Sequence, residues 1–481
     1  MRGSRVRVTQ AAPAKSQSVS ADVEIVMANI YVQVEVSKRE WDAKLLLAMT
    51  AAARGHRVLL GHVKPFLKTQ SLPQGIILDK SLTPSRKKII EMMRAKKNKH
   101  LFTAIDEETG ILSAKFESFA KFRFSKKTIE LADAIFFWGP FDYSYISENF
   151  PEYTSKLYKT GNARLDLWRP EMKSLFSSQS QKPNSYFLIV SNLGGAMAKR
   201  SYTEEWTQYQ KSTSLKITEA EKEQFDRHWE YTEKMAASFK DALNALSNKF
   251  PDYNFILRPH PTESDQKWKD LLDSRENIII NSEGPISSWL RNANAIIHCG
   301  CTSAIEAALA EIPIISYVPD GIKHEVFQYP NRLGVQAQSL NELIEKIENH
   351  KNIKADTLEQ NQKILNERIY LSEKKLACEE IVDVWDSLSN TSSLTMELIE
   401  RHLWKKLINL VRKFDLYKIL NNSITRYLKL NSTVEWKFPV LSPKKIEKQM
   451  NTYRSIFGRF DDVQVKYFGP RLCMLEIKNE S

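Results

Sequence analysis

The segment 295–318, AIIHCGCTSAIEAALAEIPIISYV, decides the fold class of this 481-residue chain. It begins with a short apolar run, which is typical of a buried strand, and continues through a turn of small residues around Gly300. Helical spacing begins at Ser303, and a second apolar run begins at Ile312. Two strands joined through a helix predict a βαβ unit with a parallel pair of strands.

The same alternation extends in both directions and divides the chain into two halves. The first half contains helical patterns at Trp41–Arg54 and Arg86–Lys97, each between apolar runs. In the second half, a strand over Tyr186–Val190 precedes a long helix from about Thr218 to Asn248. Each half therefore predicts a doubly wound parallel sheet with helices on both faces. Two such domains facing a cleft form the GT-B arrangement, in which ligands bind beyond the carboxyl ends of the strands.

Composition sets the expected domain boundaries. Residues 1–26 are polar and basic and have no apolar core, which is unlike a secretory signal. We expect either a disordered tail or a start codon assigned too far upstream, with Met27 as the true first residue. Four further regions follow: a first domain at 27–175, a Ser-, Gln-, Lys- and Pro-rich linker at 176–185, a second domain at 186–387, and a basic, partly helical extension at 388–481.

The charge of the chain favours anionic partners. The formal net charge is +12, and residues 391–481 hold 17 basic and 9 acidic side chains, so 17 − 9 = +8 lies there. The basic amphipathic pattern over Leu394–Leu430 fits helices packed on the body of the protein or a helix docked on a membrane surface. No RNA-binding or zinc-finger signature accompanies the charge, so nucleic acid is not an expected partner. No apolar run approaches the ~20 residues of a membrane span.

The cysteines predict neither a metal site nor a disulfide framework. Cys299 and Cys301 form a CxC, but His298 is the only further zinc ligand type nearby. Buried free thiols are therefore expected, which fits a reducing cytoplasm. No Asp-x-Asp stands at a suitable strand end, so we expect no metal and no cofactor.

The first candidate binding loop is Arg258-Pro259-His260-Pro261, which follows an apolar strand. Two prolines stiffen the backbone and remove two N–H donors, so the loop presents one cation and one imidazole. Such a loop suits a nucleotide phosphate or a departing phosphate. The alternative is a rigid turn whose histidine caps a neighbouring helix.

The second candidate loop joins a strand to a helix through Gly300, Thr302 and Ser303. Small residues allow a ligand to approach the backbone, and the N–H groups at a helix N-terminus bind phosphate. Glu306 then accepts ribose hydroxyls. The alternative is a capping box in which Ser303 and Glu306 satisfy the end of their own helix.

Three motifs together resemble the bacterial surface carbohydrate biosynthesis proteins. They are Arg-Pro-His-Pro at 258–261, Ile-His-Cys-Gly-Cys-Thr-Ser-Ala-Ile-Glu-Ala at 297–307 and Pro-Ile-Ile-Ser-Tyr at 313–317. The run 35–48 and the segment 106–110 are similar to the same family. These proteins are similar to Kdo transferases of capsule and lipopolysaccharide, to sialyltransferases with His-Pro motifs and to polyol-phosphate transferases of teichoic acid synthesis. The resemblance spans about residues 27–386.

The resemblance implies a general base on the acceptor-side first domain and a donor phosphate ligand on the nucleotide-binding second domain. The base is then Asp106, Glu107 or Glu108, because an acceptor hydroxyl must lose a proton as the anomeric carbon is attacked. The phosphate ligand is then His260. A solvated acidic turn is the alternative for the three acids, and Glu283-Gly284 in the second domain is a rival pair of an acidic residue followed by glycine.

Five other residues are weaker candidates. Lys38 and Arg39 follow the first strand and either meet an anionic acceptor or lie in a solvated loop. Asn192 and Gly194 follow the first strand of the second domain, where glycine allows close approach of a ligand, although a plain turn also explains them. Pro261 completes the phosphate loop.

The sequence therefore predicts a metal-independent, cytoplasmic glycosyltransferase, with a peripheral location at the inner face of the plasma membrane as the alternative to a free one. Its expected partners are a nucleotide sugar, with a CMP-linked acidic sugar favoured by the resemblance, and a surface polysaccharide or lipid-linked glycan acceptor. Three alternatives stay open: a CDP-polyol phosphotransferase, a nucleotide-sugar epimerase, and a non-catalytic sugar-nucleotide-binding component of an assembly complex.

Overall fold

The computed structural model describes residues 27–62, 72–107, 116–176, 185–212, 218–284, 286–322, 328–391, 440–469 and 471–478. The strands are β1 (Asn29–Gln33), β2 (Arg57–Gly61), β3 (Ile76–Asp79), β4 (Leu101–Ile105), β5 (Ala134–Phe137), β6 (Leu157–Lys159), β7 (Tyr186–Val190), β8 (Asn254–Arg258), β9 (Ile278–Ile280), β10 (Ile296–His298), β11 (Ile314–Tyr317), β12 (Val335–Ala337), β13 (Val463–Gly469) and β14 (Leu472–Ile477).

The α-helices are α1 (Ser37–Ala53), α2 (Arg86–Lys97), α3 (Phe116–Arg123), α4 (Lys126–Leu131), α5 (Pro140–Asn149), α6 (Ala163–Asp166), α7 (Tyr202–Ser212), α8 (Glu219–Lys249), α9 (Asp265–Leu271), α10 (Ser287–Leu290), α11 (Ser303–Leu309), α12 (Gln328–Asn331), α13 (Leu340–Glu348), α14 (His350–Asn366), α15 (Ala377–Thr391) and α16 (Pro443–Phe457). Two 3-10 helices cover Pro151–Lys156 and Pro170–Phe176.

These elements form two sheets, and the predicted two-domain GT-B fold class is confirmed. The first sheet has the order β13-β14-β2-β1-β3-β4-β5-β6, and β1 to β6 run parallel. The second has the order β12-β11-β10-β7-β8-β9 and is parallel throughout. The βαβ unit predicted at 295–318 is the β10–α11–β11 unit of the second sheet.

Apolar residues cover both faces of each sheet, as parallel sheets require. One core cluster lies on the outer face of the first sheet and includes Met92 of α2 and Phe102 of β4. A second lies between the second sheet and α8 and includes Phe239. The largest cluster joins the remaining faces of both sheets, so the two domains share apolar contacts.

The described part of the C-terminal extension belongs to the first domain. Helix α16 packs on α1, where Tyr453 Oη donates to Asp42 O at 2.8 Å. Strands β13 and β14 form an antiparallel hairpin that adds to β2, an addition that the sequence analysis did not predict. Gly61 allows this pairing, because its φ is +134° and a Cβ there would lie 2.2 Å from Arg471 O.

The basic pattern at 394–430 lies outside the described residues, as do residues 1–26 and 177–184. Within the described ranges, none of the helices has the length and apolar content that would let it cross a membrane.

Candidate functional site

The loop after β7, which holds Asn192 and Gly194, meets the second candidate loop, after β10, where the strand order of the second sheet reverses. Strands β8 and β9 lie on one side of β7, and β10 to β12 lie on the other. The loops after β7 and β10 therefore diverge at their carboxyl ends and leave a crevice, where ligands bind in open parallel sheets. The Nδ2 of Asn192, after β7, donates to the carbonyl oxygen of Gly300, after β10, at 3.3 Å.

His260 is exposed and its ring is oriented by Thr262. Its Nδ1 lies 2.8 Å from Thr262 Oγ1 and accepts the backbone N–H of Thr262 at 3.3 Å. Because Nδ1 accepts a hydrogen bond, the neutral ring carries its proton on Nε2. An Nε2–H donor of this kind suits a phosphate oxygen. Pro261, beside it, is also exposed, and its carbonyl accepts Lys199 Nζ at 3.0 Å.

Arg258 is buried and holds a neighbouring loop. Its guanidinium donates to the carbonyl oxygens of Asn281, Glu283 and Gly284 at 2.9, 2.6 and 2.8 Å. Burial lowers its pKa to about 10, against a smaller opposing effect of Asp265. The phosphate role predicted for Arg258 stays a prediction, but its contacts give it a structural role. The backbone carbonyls of the rival pair, Glu283 and Gly284, accept two of these hydrogen bonds from Arg258.

The glycine loop after β7 is fixed by a buried carboxylate, Glu263. Its oxygens accept Ser191 Oγ and the N–H of Leu193, both at 2.6 Å, and the indole N–H of Trp268 at 2.8 Å. Burial raises the pKa of Glu263. A Cβ on Gly194 would lie 3.3 Å from Thr262 Oγ1, so this loop lies against the His260 loop.

The loop after β10 does not form the capping box proposed as its structural explanation. Gly300 has φ +65° and donates its N–H to Asn331 Oδ1 at 2.6 Å. Half-buried Thr302 stands at the N-cap in helical conformation, and no side chain caps the helix. Ser303 Oγ instead accepts a hydrogen bond from Cys301 Sγ at 3.4 Å. A capping box between Ser303 and Glu306 requires Ser303 to be the N-cap residue, but Ser303 is already the first residue of the helix. The capping-box alternative is therefore wrong.

Glu306 reaches across the cleft to the first domain. Its Oε1 lies 2.8 Å from Arg164 Nη2, and both side chains are about nine-tenths buried. The other terminal nitrogen of Arg164 reaches the carbonyl oxygen of Glu107 at 3.5 Å, and the guanidinium lies 5.6 Å from the Trp138 ring centroid. One arginine thus contacts both the predicted ribose ligand and the predicted acidic segment.

The acidic segment follows β4 and is buried, which excludes a solvated turn for its first two residues. Asp106 Oδ2 lies 3.5 Å from Arg123 Nε. Glu107 Oε1 lies 3.0 Å from Lys44 Nζ, while its buried Oε2 has no hydrogen-bond partner among the described residues. Glu108 and Gly110 lie outside the described residues, so their roles stay predictions.

Lys44 Nζ also lies 2.8 Å from Oε2 of a second buried carboxylate, Glu40, so it connects Glu107 with Glu40. Burial alone would lower the pKa of Lys44, but Glu107 and Glu40 raise it above its ordinary value. Burial alone would raise the pKa of Glu40, but Lys44 and Arg39 bring it below its ordinary value. Each charge in this triad therefore depends on its partners for stability in the interior.

The weak acceptor candidates lie in a helix, so the solvated loop that was the alternative for them is wrong. Lys38 and Arg39 belong to the first turn of α1, and Arg39 Nη2 lies 3.1 Å from Glu40 Oε1. The side chain of Lys38 is outside the described part of the chain. Their acceptor role stays a prediction.

The cysteines are buried free thiols, as predicted. Beside Cys299 and Cys301, burial lowers the pKa of His298 to about 3, and its Nδ1 accepts the N–H of Cys301 at 3.4 Å. Within the described ranges, no three His, Cys, Asp or Glu side chains are grouped so that they could hold a metal ion.

Sequence reasoning missed Lys44, Arg164 and the contacts that Asp166 and Arg169 make with residues 372–378. The buried carboxylate of Asp166 accepts the N–H groups of Ala377 and Cys378 at 2.9 and 3.0 Å and so binds the start of α15. Arg169 binds the carbonyl oxygens of Ser372 and Lys375, both at 2.9 Å. The signal was present in Gly-Asn-Ala-Arg-Leu-Asp-Leu-Trp-Arg at 161–169, a dense set of polar residues directly after β6.

Comparisons with known proteins give similarity of fold only. No family model matches the sequence, and no curated protein matches it significantly. The structure is similar to a Listeria monocytogenes protein assigned as a UDP-N-acetylglucosamine 2-epimerase (11% identity, TM-score 0.48, 78% of this chain and 100% of that one). It is also similar to the wall teichoic acid polymerase TagF (11%, 0.47, 76% and 89%) and to S. aureus MnaA with UDP (13%, 0.45, 76% and 97%). At these identities and scores, the likenesses carry no argument about activity.

Proposed function

We propose that the protein is a glycosyltransferase that binds a nucleotide sugar in the second domain and transfers the sugar to an acceptor hydroxyl held by the first. One observation carries the proposal: Arg164 contacts both Glu306, the predicted ribose ligand, and the backbone of Glu107, a predicted base. The nucleotide-side and acceptor-side candidates thus lie within one side chain of each other. A transferase needs this proximity, because its two substrates must react across the cleft.

Each candidate group has a defined part in the transfer. Glu306 accepts hydrogen bonds from the ribose hydroxyls, and the Nε2–H of His260 donates to the donor phosphate. Glu107 takes the proton of the acceptor hydroxyl through Oε2, which has no hydrogen-bond partner within the described ranges, with Asp106 and Glu108 as the alternatives. As the new bond to the anomeric carbon forms, the bond from that carbon to the phosphate oxygen breaks and the nucleotide leaves with the electron pair. This scheme requires no metal and no cofactor.

The donor we favour is a CMP-linked acidic sugar, on the resemblance of the 258–261 and 297–307 motifs. The acceptor we favour is a surface polysaccharide or a lipid-linked glycan, and the expected compartment is the cytoplasm. The basic residues at 391–481 would favour such anionic substrates.

A thermal-shift titration with CMP, CDP, UMP and UDP tests the nucleotide part. CMP or CDP raises the melting temperature by mass action. His260→Ala removes the shift, while the matched variant His228→Ala, on α8, retains it. Stabilisation by UMP or UDP alone would contradict a CMP-linked donor and favour a nucleotide-sugar epimerase. No shift with any nucleotide would exclude a nucleotide site.

Turnover tests the chemistry. Glu107→Gln removes the proton acceptor, so transfer falls by 10²-fold or more, on the order of a general base contribution. Nucleotide binding should not change, because Glu107 belongs to the first domain. Full turnover of folded Glu107→Gln, Asp106→Asn and Glu108→Gln variants would contradict the base assignment and favour a non-catalytic binding protein. Transfer of a polyol phosphate from a CDP donor would identify a phosphotransferase instead.

A further inference from the structure

One side of helix α2 combines cationic side chains with exposed apolar ones. Six exposed residues lie at helical spacing along this side, which we call the α2 stripe: Arg86, Lys87, Ile90, Met93, Arg94 and Lys97. Ile90 is 38% exposed and Met93 is 53% exposed. The opposite side of the helix is buried in the outer core through Met92 and Ala95.

The four cations of the stripe have no acidic partner among the described residues. On the exposed side of α8, by contrast, Arg227 pairs with Glu223 at 3.5 Å and Lys234 pairs with Glu230 at 2.6 Å. A solvated helix normally carries such alternating charges. The α2 stripe instead presents positive charge of one sign around an apolar centre.

We infer that the α2 stripe docks the protein on an anionic lipid bilayer. Lysine and arginine side chains bind anionic headgroups, and Ile90 and Met93 enter the boundary between headgroups and acyl chains. A second copy of the chain fits poorly, because a symmetric contact would bring two sets of four like charges together. Nucleic acid phosphates would pair with the cations but would leave the two apolar side chains without a partner, and the stripe has no aromatic ring for stacking on bases.

The place of the stripe in the fold gives docking a consequence. Helix α2 begins after β3, so Arg86 and Lys87 stand toward the carboxyl edge of the first sheet. Asp106 and Glu107 follow β4, the neighbouring strand, at the same edge. Docking would therefore bring the acceptor side of the cleft toward the bilayer surface. The inference does not require the proposed transferase activity.

Vesicle co-sedimentation of the full chain tests the docking. We expect binding to vesicles that contain phosphatidylglycerol, little binding to pure phosphatidylcholine, and release in high salt. Lys87→Ala with Arg94→Ala should weaken binding about 25-fold, at about fivefold per cation. Arg227→Ala with Lys234→Ala changes the net charge equally on α8 and should leave binding within about twofold of the unaltered protein.

A second pair of variants tests the apolar part. Ile90→Gln should weaken vesicle binding, while Leu358→Gln, at a residue with a similar exposure of 39%, should not. All these residues are exposed, so the variants should fold, and their melting temperatures check this. Wild-type binding that the α2 variants do not weaken would overturn the inference and assign docking to another surface. Binding to RNA without binding to anionic vesicles would also overturn it.

Discussion

The two sides of the cleft are built by different means. On the second domain, polar side chains bind backbone groups: Arg258 holds three carbonyl oxygens, and Glu263 accepts a backbone N–H together with two side-chain donors. On the first domain, charged side chains bind one another, as in the Glu40–Lys44–Glu107 triad. The difference teaches that the loops of the second domain are held by contacts between side chains and backbone, whereas this edge of the first domain depends on buried charges that stabilise one another.

The largest effect expected from this comparison is the loss of Lys44. Lys44→Met leaves Glu107 buried without its cation and leaves Glu40 with Arg39 alone, so the free energy of unfolding should fall by about 3–5 kcal/mol at neutral pH. Denaturant unfolding measures it. Lys354→Met removes an exposed partner of Glu311 and should cost less than about 1 kcal/mol. Equal effects would show that the triad does not stabilise the first domain.

The Glu40–Lys44–Glu107 triad also makes the stability of the first domain depend on pH. The pKa of Glu40 is lowered from 4.5, so its contribution to stability is present above that pH and is lost as pH falls through the folded value. The pKa of Lys44 is raised from 10.5, so its contribution is present below that pH and is lost as pH rises through the folded value. Between these two pH limits the Lys44→Met effect should be full, and it should shrink in acid because the Glu40 carboxylate takes up a proton.

The next largest effect is the loss of Arg258. Arg258→Met removes hydrogen bonds from a charged donor to three backbone carbonyls, so unfolding should become easier by about 2–3 kcal/mol. The matched variant Arg332→Met breaks an exposed pair with Glu367 and should cost at most about 1 kcal/mol. If Arg258→Met kept the melting temperature and lost only nucleotide affinity, the cation would be a ligand contact and not a loop anchor.

A smaller effect is expected when Glu306 is changed. The nucleotide affinity of the variant distinguishes a ribose contact of Glu306 from its ion pair with Arg164. Glu306→Gln should weaken a ribonucleotide about tenfold, or ~1.4 kcal/mol, because a charged acceptor is lost. Affinity for the 2′,3′-dideoxy analogue should not change. Glu345→Gln, at an exposed residue of α13, is the control. Equal loss for both nucleotides, measured by calorimetry, would contradict a ribose contact.

The smallest effect is expected at Thr262. Thr262→Val removes the hydroxyl beside His260 Nδ1 but keeps the backbone N–H, so kcat/KM should fall about fivefold, the value of one hydrogen bond of ~1 kcal/mol. Thr262→Ser retains the hydroxyl and should restore the rate. The pH profile of kcat/KM should change for the valine variant alone, since ring orientation is what the hydroxyl adds. A profile that matches the unaltered protein would limit Thr262 to packing.

Much of the fold could be predicted because local patterns carry it. The strand at Tyr186–Val190 has the predicted bounds, and the helix predicted from about Thr218 begins after that residue, which caps it with Glu221. Hydrophobic runs and caps are properties of neighbouring residues, so a single chain displays them. The addition of the β13–β14 hairpin to β2 was missed because that pairing joins residues about 410 positions apart.

The candidate site could be predicted only as separate loops. The residues at 258–261 and 299–306 stand out because prolines, glycine and small residues follow apolar strands. Arg164 and Lys44 did not stand out, because a cation on a helix has the same local pattern whether it faces water or a carboxylate. The capping box failed for a similar reason: the Ser303 and Glu306 spacing is local, but the partner that Glu306 binds comes from the other domain.

By itself, the sequence determined the two-domain parallel fold and the loops that end at the cleft, because hydrophobic periodicity and turn residues act over a few positions. Only the tertiary structure decided which charges meet. The pairs Glu306–Arg164 and Glu107–Lys44 join residues 142 and 63 positions apart, and the packing of the sheets brings them to one edge. A charge buried at such an edge is stable only beside its partner, and distance along the chain does not encode that proximity.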